Sequence, residues 1–327
     1  MEGIIDIRGI KAKRGEKKAG YFPIVDCDGN KSYVPVFLVN GHKEGSTLCL
    51  TAGVHGCEYT SIEAAIRIYQ ETDPLDLHGT IIGIPVLNVE GFRQRKPYVS
   101  PWDGKNINRI FPGKPNGTIS EVLADFIIDQ VIPKSNYHID LHGGDMSEFL
   151  DPYVIVSKPV DDEAMFKRIL QFAQHFLPPV IIISEPGRGR SYSNVMEKGV
   201  PSMLAEAGEN GLLDEKGLNF LVRGIQNVMR HLDMLSGNPE TPPINIQYAS
   251  AAQSYYSSQE GLFYPIVKAG DIVNKGQKVG ELRDYFGNVI EELKAPNSGY
   301  ISFLVSSISI LQDGLLMGIA PLIGNSK

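Results

Sequence analysis

The sequence predicts an α/β fold, with a mostly parallel or mixed central sheet flanked by helices, and a small all-β domain after it. Up to residue 235, apolar runs typical of buried strands alternate with segments of helical periodicity. After the proline-containing stretch SGNPETPP (236–243), only short β-type runs and turns follow. The 327 residues are 42% hydrophobic and 21% charged, which provides enough apolar material for one large core and one small one.

The first part of the chain begins with two strands and continues as a strand–helix–strand unit. YFPIVD (21–26) and SYVPVFLV (32–39) are rich in β-forming residues and enclose an Asp-Gly turn signal. STLCLTAGV (46–54) is an apolar run typical of a strand buried on both faces. Helical periodicity follows over 61–71, and a second buried strand is predicted over 78–88. This order predicts a βαβ unit in a mostly parallel sheet.

A long segment without periodicity separates this unit from the next helix. Residues 89–118 are polar but carry several aromatic side chains, which indicates a functional loop and not a disordered one. The stretch 120–132 is amphipathic and predicts a helix, with Ser120 as its N-cap. YHIDLHGG (137–144) is then a predicted strand that ends in a glycine turn.

The remaining α/β pattern contains three strands and two helices. Apolar runs predict strands at 152–157, at 179–184 and within 201–211, and helical periodicity predicts helices at 164–176 and 216–235. The third of these strands ends in a second polar turn that contains glycine. The last helix closes the α/β pattern.

A change in the character of the sequence near Thr241 divides the chain into two predicted domains. Residues 1–240 form the α/β domain, and residues 241–327 form a β-rich domain. Within the second domain, segments 268–282 and 294–305 have no helical periodicity. The sequence contains no repeat array and no low-complexity tract.

The charge, the cysteines and the apolar runs restrict the class of protein. A net charge of −7 without an uninterrupted basic run argues against a nucleic-acid partner. Three cysteines without a CxxC pair are typical of a reducing compartment and not of a disulfide framework. The N-terminus has no signal-peptide core, and no run approaches the ~18 apolar residues of a membrane span. The sequence therefore predicts a cytoplasmic protein without a membrane partner.

Two histidines stand where predicted parallel strands end and glycine follows. His55 lies in VHG after the strand at 46–54, and His142 lies in LHGG at the end of the next predicted strand but one. Because sites in open α/β sheets form at the carboxyl ends of strands, both side chains can point into one crevice. Glu58 follows His55 by three residues and can share its face. Two histidines and a glutamate, with a fourth position open for water, make the ligand set of a catalytic zinc site.

Several residues near these ligands have more than one interpretation. Cys57 is interpreted as a small buried residue and not as a ligand. Asp140, two residues before His142 on the same strand face, is either an acceptor that orients a histidine or a structural carboxylate. Gly53 and Gly56 are expected to provide room and backbone freedom for metal and substrate to approach.

A hydrolytic site also needs a general base. Glu206 in MLAEAGENG comes near the end of the last apolar strand, where a carboxylate can take a proton from water and pass it to the leaving amine. Glu209, three residues later in the turn, is the alternative. The loop at 89–118 adds arginine and asparagine side chains suited to carboxylates and oxyanions, although an ordinary surface loop has the same composition.

Four motifs, in this order and spacing, resemble the succinylglutamate desuccinylase/aspartoacylase family of zinc carboxypeptidase-like hydrolases. They are GVHGCE (53–58), GKNINRIFPG (104–113), DLHGG (140–144) and AEAG (205–208). The resemblance covers most of the chain, because the β-rich tail is also similar to the C-terminal domain of that family. It implies a zinc carboxypeptidase-like fold and one Zn²⁺ per chain.

The resemblance also implies roles for individual residues. Its metal ligands fall on His55, Glu58 and His142. The catalytic glutamate falls on Glu206, and the pair that holds the substrate carboxylate falls on Asn108 and Arg109. The oxyanion-stabilising arginine falls on Arg95, with Arg93 as the alternative because the length of this loop varies.

Two features depart from what the resemblance implies. Asn106 stands where many relatives have aspartate (NINR in place of DLNR). This difference leaves the fine geometry of the substrate loop undetermined, but it does not affect the predicted metal site. The tail resembles a biotinyl/lipoyl-type barrel, but the hairpin DYFGNV (284–289) lacks the lysine that a carrier needs. No attachment of lipoate or biotin is expected, and the tail is expected to pack over or beside the site and narrow it.

The leading hypothesis is a zinc-dependent deacylase that hydrolyses the amide bond of an N-acyl amino acid, its small-molecule partner. The alternative within enzymes is a metallocarboxypeptidase that acts on short peptides. A binding or carrier module is a third class, which the intact ligand set and the missing lysine disfavour. Arg188 and Arg190 either favour an acidic acyl chain or are solvated, and the oligomeric state, a homo-oligomer included, stays open.

Overall fold

A nine-stranded mixed sheet flanked by helices forms the main body of the fold, and antiparallel sheets form its C-terminal part. The predicted α/β architecture is therefore confirmed. The computed structural model describes residues 3–324, so residues 1–2 and 325–327 of the two predicted domain ranges lie outside the described residues. Within residues 3–324, no helix combines the length and the apolar character that crossing a membrane requires.

The strands and helices are numbered along the chain. The strands up to residue 240 are β1 (Ile4–Ile7), β2 (Ile10–Lys13), β3 (Glu16–Val25), β4 (Lys31–Asn40), β5 (Lys43–Ala52), β6 (His78–Ile84), β7 (Tyr137–His142), β8 (Glu148–Leu150), β9 (Tyr153–Ser157), β10 (Val180–Ser184) and β11 (Ser202–Glu206). The helices are α1 (Tyr59–Glu71), α2 (Val89–Gln94), α3 (Ile119–Asp125), α4 (Glu163–Gln174), α5 (Ser191–Glu197) and α6 (Glu215–His231). Three further segments have 3-10 or π geometry, namely Ile107–Arg109, Phe126–Val131 and Ile132–Lys134.

The strands after residue 240 form most of the C-terminal part. They are β12 (Gln247–Ser250), β13 (Gln253–Tyr256), β14 (Gly261–Pro265), β15 (Ile272–Val273), β16 (Lys278–Arg283), β17 (Val289–Lys294), β18 (Gly299–Val305), β19 (Ser309–Ile310) and β20 (Leu315–Ala320). One antiparallel sheet has the order β13-β20-β18-β15, and the other has the order β17-β16-β14-β19.

The order of the large sheet brings three strand ends together. It runs β12-β10-β9-β11-β7-β5-β6-β4-β3. β7 lies between β5 and β11 and is parallel to both, whereas β9 is antiparallel to β11. The carboxyl ends of β5, β7 and β11 are therefore neighbours at the same end of the sheet, where sites of α/β proteins form.

The central strands are buried on both faces, as their apolar sequences predict. Along β5, Leu48 and Leu50 belong to one core cluster while Cys49 between them belongs to the other, which is the alternation of a two-residue period. Helix α1 packs on the first cluster through Ala65 and Ile68. With both faces covered, the sheet is a rigid support for the residues that follow its strands.

The predicted N-cap of the helix after the long loop is wrong. The helix begins at Ile119, and Thr118 is its N-cap. The Glu121 carboxylate accepts a hydrogen bond from the Thr118 backbone N–H at 2.9 Å, which completes a capping box. The Ser120 hydroxyl instead donates to Asp103 at 2.7 Å and ties the loop to the start of the helix. The predicted helix over 120–132 continues beyond α3 in π and 3-10 geometry.

Glu121 fixes the same loop through charge, and we expect it to make stability depend on acidity. Its carboxylate lies 3.3 Å from the ammonium groups of Lys105 and Lys114. The hydrogen bond from Thr118, followed by these lysines, lowers the pKa of Glu121 from 4.5 to about 2. A lowered folded-state pKa gives stability that is present above pH 4.5 and is lost as the pH falls through about 2.

Urea unfolding between pH 2 and pH 5 measures this contribution. The Glu121→Gln variant should lose part of the wild-type dependence of the unfolding free energy on pH in this range. Glu163→Gln is the matched control, since the Glu163 side chain is 83% exposed. If the unfolding free energy of Glu121→Gln depended on pH in the same way as that of the wild type, Glu121 would not be the source of this contribution.

Two strands connect the predicted domains across the boundary at residue 240. β8, from the first range, pairs with β18 of the tail, and β12, from the second range, extends the large sheet beside β10. We keep 1–240 and 241–327 as a proposed division by sequence. The pairings show that each part supplies one strand to a sheet of the other.

Candidate active site

The three predicted metal ligands converge at the carboxyl end of the large sheet. The turn after β5 carries His55 and Glu58, and β7 ends at His142. One donor atom from each of these side chains lies within 4.8 Å of the others. All three residues are buried, with 8%, 4% and 1% of their surface exposed. The structure therefore brings together the set that the sequence predicts.

Glu58 lies between the two histidines. Its Oε1 is 2.6 Å from His55 Nδ1, and its Oε2 is 2.9 Å from His142 Nδ1. The second pair is not aligned as a hydrogen bond, so the buried Oε2 has no hydrogen-bond partner in the part of the chain that the structure describes. Two imidazole nitrogens and a carboxylate oxygen that lacks a hydrogen bond match the donor set of a zinc site, with positions left for water or substrate. The residues present thus fit a zinc ion.

The far nitrogen of each histidine faces an oxygen acceptor. His142 Nε2 is 3.1 Å from Asp140 Oδ2, and His55 Nε2 is 3.1 Å from Asn106 Oδ1. With a metal ion bound, these acceptors would hold the ring proton on Nε2 and leave Nδ1 of both rings to bind the ion. Acceptors in this position orient a ligand histidine and raise its basicity.

Asp140 has a rigid hydrogen-bonding environment. Besides His142, it accepts hydrogen bonds from the hydroxyls of Thr51, at 2.6 Å, and Ser191. Burial by itself would raise the pKa of Asp140, but His142 and the hydrogen bonds lower it to about 2. Of the two interpretations of Asp140, the geometry favours the acceptor that orients a histidine.

Asn106 offers a test of the orientation of His55. Because its amide oxygen is the acceptor for His55 Nε2, Asn106→Leu should weaken metal binding by about 10- to 100-fold. Asn106→Asp restores an oxygen with a full negative charge and should bind metal at least as tightly as the wild type. Competition with a chromogenic chelator measures the affinity. Asn116→Leu, an exposed position in the same loop, is the control, and equal affinities for both leucine variants would refute the role of Asn106.

Glu206 stands beside the ligand set. It is the last residue of β11 and the register partner of His142 on β7. Its Oε2 is buried and has no hydrogen-bond partner among residues 3–324. Burial, and then the nearby carboxylates of Glu58 and Glu148, raise the pKa of Glu206 to about 8, against a lowering by His142. A buried carboxyl group whose pKa is raised far above its ordinary value, in a cleft beside the ligand set, is a candidate general acid or base. Glu209, the alternative, does not line the cleft.

Asn108 and Arg109 also lie at this cleft. Asn108 Nδ2 is 3.5 Å from His142 Nε2, and Asn108 Oδ1 accepts a hydrogen bond from the Ser191 backbone N–H at 3.0 Å. Burial, and then the positive charge of Arg190, lower the pKa of Arg109. Within residues 3–324, the Arg109 guanidinium forms no ion pair with a carboxylate, so it is available to a ligand.

The two candidate oxyanion arginines lie outside the cleft in this structure. Arg95 is the C-cap of α2, with a left-handed φ of 52°, and its side chain is exposed. Arg93 forms an ion pair with Glu90 at 3.0 Å. Neither lines the cavity at the ligand set. Helix α2, which the sequence analysis did not predict, turns both side chains outward, and the role of Arg95 stays a prediction.

The two glycines of the first motif lie where a side chain would collide with neighbouring backbone. A Cβ at Gly56 would lie 2.1 Å from the backbone nitrogen of Phe92, and one at Gly53, where φ is +61°, would lie 2.9 Å from Val86 Cα. The positive φ of Gly53 agrees with the expected backbone freedom, and the close neighbours are backbone of the segment after β6 and of α2. That the glycines also make room for metal and substrate stays a prediction. Cys57 is fully buried and is not part of the ligand group.

A cavity of about 570 Å³ surrounds these groups. This volume is within the range of small-molecule sites. Its walls include residues that the sequence analysis did not single out, namely Tyr98, Glu148, Tyr153, Ser184, Tyr192, Ser254, Tyr256, Phe303, Val305 and Leu315. Of these residues, only Tyr98 and Tyr192 lie near a segment that the sequence marks as functional. Tyr98 is in the long aromatic loop, and Tyr192 follows the GRGR segment. The tail contributes to the cavity, in line with the expectation that it narrows the site.

Comparisons with known proteins agree with this geometry. A model of the succinylglutamate desuccinylase/aspartoacylase catalytic domain matches residues 44–232. The N-alpha-acetyl-L-2,4-diaminobutyric acid deacetylase of Halomonas elongata is 30% identical over 256 residues, which cover 77% of this chain and 74% of that protein.

Solved structures match over nearly the whole chain. The succinylglutamate desuccinylase/aspartoacylase from Rhodobacter sphaeroides has a TM-score of 0.86 and 25% identity, and covers 98% of both chains. The product-bound ectoine utilization protein EutE (DoeB) from Ruegeria pomeroyi has a TM-score of 0.82 and 22% identity, over 93% of this chain and 94% of that one. The fold, the matched domain and the related deacetylase together show that this chain belongs to the succinylglutamate desuccinylase/aspartoacylase family.

Proposed function

We propose that this protein is a zinc-dependent deacylase that hydrolyses the amide bond of an N-acyl amino acid. The main observation is the placement of Glu206 beside His142, with the ligand set and Asn108 in the same cavity. The family supports the reaction class, since its named relatives include a deacetylase of an N-acetylated amino acid. Small N-acyl amino acids are the proposed partners.

Each group at the site has a proposed task in this reaction. His55, Glu58 and His142 would hold one zinc ion, which when bound supplies a Lewis acid for the amide carbonyl and lowers the pKa of water. Glu206 takes the proton of the attacking water and then delivers it to the leaving amine. The same carboxyl group must therefore change its protonation state twice in each turnover, for which a pKa near neutrality is suited.

Asn108 and Arg109 are proposed to hold the α-carboxylate of the substrate. A guanidinium binds a carboxylate through two parallel hydrogen bonds, which fixes its orientation as well as its position. The Arg109 Nη1–H donates to the Asn108 carbonyl at 2.7 Å, and this bond sets the direction of the guanidinium. A clamp on one end of the substrate presents the amide to Glu206 in a defined geometry. Arg95 is proposed to stabilise the oxyanion, after a movement that would bring it to the cavity.

A hydrolysis screen with zinc-loaded protein tests this function. We expect turnover of at least one N-acyl amino acid among acetyl, succinyl and longer acyl derivatives, with loss of turnover after chelation and recovery on adding zinc. Activity that persists in excess chelator with no bound metal would refute the metal requirement. Release of amino acids from dipeptides and longer peptides, without turnover of any acyl derivative, would favour the carboxypeptidase alternative.

A further inference from the structure

One part of the cavity has a continuous apolar floor. Leu204 on β11, Ile155 on β9 and Ile182 on β10 are direct partners across neighbouring strands. Direct partners lie on the same face of a sheet, and strands are about 4.8 Å apart, so the three side chains form a row roughly 10 Å long. All three line the cavity, where Ile155 is partly exposed and Leu204 and Ile182 have 3% and 2% of their surface exposed.

The same cavity is closed from the other side by apolar residues near and within the tail. Leu150 on β8 pairs with Phe303 on β18, and both line the cavity together with Leu315 on β20. We call the space between these residues and the floor the apolar chamber, which is lined by Leu150, Ile155, Ile182, Leu204, Phe303 and Leu315. Apolar surface that the protein leaves facing a pocket is a binding surface for an apolar group.

The apolar chamber is close to the reacting end of the site. Leu204 precedes Glu206 by two residues on the same strand, so both side chains share one face with their α-carbons about 7 Å apart. A group in the chamber is therefore attached within a few bonds of an amide that contacts Glu206. The chamber is part of the substrate site and not a separate pocket.

The chamber lies on the side of the carboxylate clamp. Tyr192 is close enough to Arg109 to affect its pKa, and the Tyr192 hydroxyl is 3.2 Å from the hydroxyl of Ser184 on the floor strand β10. His55 packs edge-on against Tyr98, which lines the cavity as well. Because the α-carboxylate and the side chain of an amino acid share one carbon, a substrate held by Arg109 directs its side chain to the chamber.

We propose that the apolar chamber binds the side chain of the substrate amino acid, and that the preferred substrates are N-acyl derivatives of amino acids with apolar side chains of about four carbons or more. This inference rests on the proposed function and makes its substrate class more specific. The floor has no charged group in its row, so a charged side chain would lose its hydration there without a partner. Arg190 lines the cavity but is exposed, so it lies towards solvent and not within the row.

A side-chain series measured with zinc-loaded protein tests the inference. The substrates are the N-acetyl derivatives of alanine, 2-aminobutyrate, norvaline and norleucine, with those of aspartate, glutamate and 2,4-diaminobutyrate for comparison. We expect kcat/KM to rise about fourfold for each added CH₂, or about sixtyfold from alanine to norleucine. A flat series, or a preference for any of the charged side chains, would overturn the proposal. A steep dependence on acyl length with a flat side-chain series would also overturn it.

A pair of variants on one strand separates the chamber from general effects on the fold. Ile182→Phe fills the chamber and should lower the norleucine-to-alanine ratio of kcat/KM at least tenfold. Ile183→Phe is the matched control, because Ile183 packs against the core on the opposite face and does not line the cavity. It should keep the wild-type ratio. If Ile182→Phe does not fold, Leu315→Trp fills the chamber from the tail and should have the same effect.

Calorimetry of the free amino acids provides a readout that does not need turnover. Norleucine should bind the zinc-loaded wild type at least tenfold more tightly than alanine, and Ile182→Phe should remove the difference. Absence of hydrolysis of every N-acyl amino acid would defeat the proposed function, and the calorimetric result would then decide the chamber alone. Equal affinities for norleucine and alanine would overturn the inference even if hydrolysis is observed.

Discussion

Glu206→Gln is expected to lower kcat by about a thousandfold while the protein keeps one bound metal ion. The amide has nearly the same shape as the carboxylate, but it can neither take a proton from water nor deliver one to the leaving amine. Glu206 is outside the group of three ligand atoms within 4.8 Å, so its charge is not needed to hold the ion.

The pH profile gives this prediction a second readout. A general base acts in its deprotonated form, so wild-type kcat/KM should rise with pH as Glu206 loses its proton. Burial raises the pKa of Glu206, and a bound cation, like His142, acts in the opposite direction. In the Glu206→Gln variant this rising limb should disappear.

Metal analysis, kinetics and a neighbouring control complete the experiment. Glu209→Gln, three residues later and outside the cavity lining, should keep nearly wild-type turnover. Near-wild-type activity of Glu206→Gln, or a large loss in Glu209→Gln alone, would reverse the assignment of the base. Loss of metal from Glu206→Gln would instead mean that Glu206 helps to hold the ion.

His142→Ala is expected to abolish activity by removing a metal ligand. The affinity should fall by more than the roughly 10- to 100-fold that is typical of losing an outer hydrogen-bond partner. The carboxylates of Glu58 and Asp140, 2.9 Å and 3.1 Å from its two ring nitrogens, would also face an uncharged gap. In the metal-free protein, burial alone would lower the pKa of His142, but the Glu58 and Asp140 carboxylates raise it well above its usual value, so the ring is charged. Breaking such a buried charge pair costs about 3–5 kcal/mol, so the free energy of unfolding should also decrease.

Metal content after dialysis and urea unfolding of the metal-free protein measure the two effects separately. His42→Ala, an exposed histidine on the loop before β5, is the control and should change neither quantity. A His142→Ala protein that retains a full equivalent of metal would contradict the ligand assignment. Unchanged stability of the metal-free variant would show that the two carboxylates are neutralised by other means.

The ligand set was predictable because the end of a buried strand is visible in the sequence as an apolar run followed by a polar residue and glycine. His55 and His142 each follow an apolar run and precede glycine, and parallel neighbours must end side by side. Glu206 was found by the same argument, since it closes the last apolar strand. The N-cap Thr118 was missed because the Ser120 hydroxyl donates a hydrogen bond to Asp103, seventeen residues away. The local sequence cannot show such a contact.

The wall of the cavity was much less predictable. Phe303 and Leu315 reach the site only through the packing of the tail, and neither lies in a motif. The short helices α2 and α5 lie in glycine-containing polar segments and are too brief to show periodicity. Sequence patterns thus locate groups held by long strands, whereas groups brought in by tertiary packing need the structure.

The exchange of β8 and β12 has a consequence for how the molecule opens and unfolds. Separating the tail from the large sheet as a rigid body would break the backbone ladders β8–β18 and β10–β12. We therefore expect heat or denaturant to melt both parts in one cooperative transition. A chain truncated at residue 240 would lose β12, an outermost strand of the large sheet, together with Phe303 and Leu315, two of the six chamber residues. The tail is therefore a structural part of the candidate active site, and its replacement by another domain would change both the large sheet and the lining of the cavity.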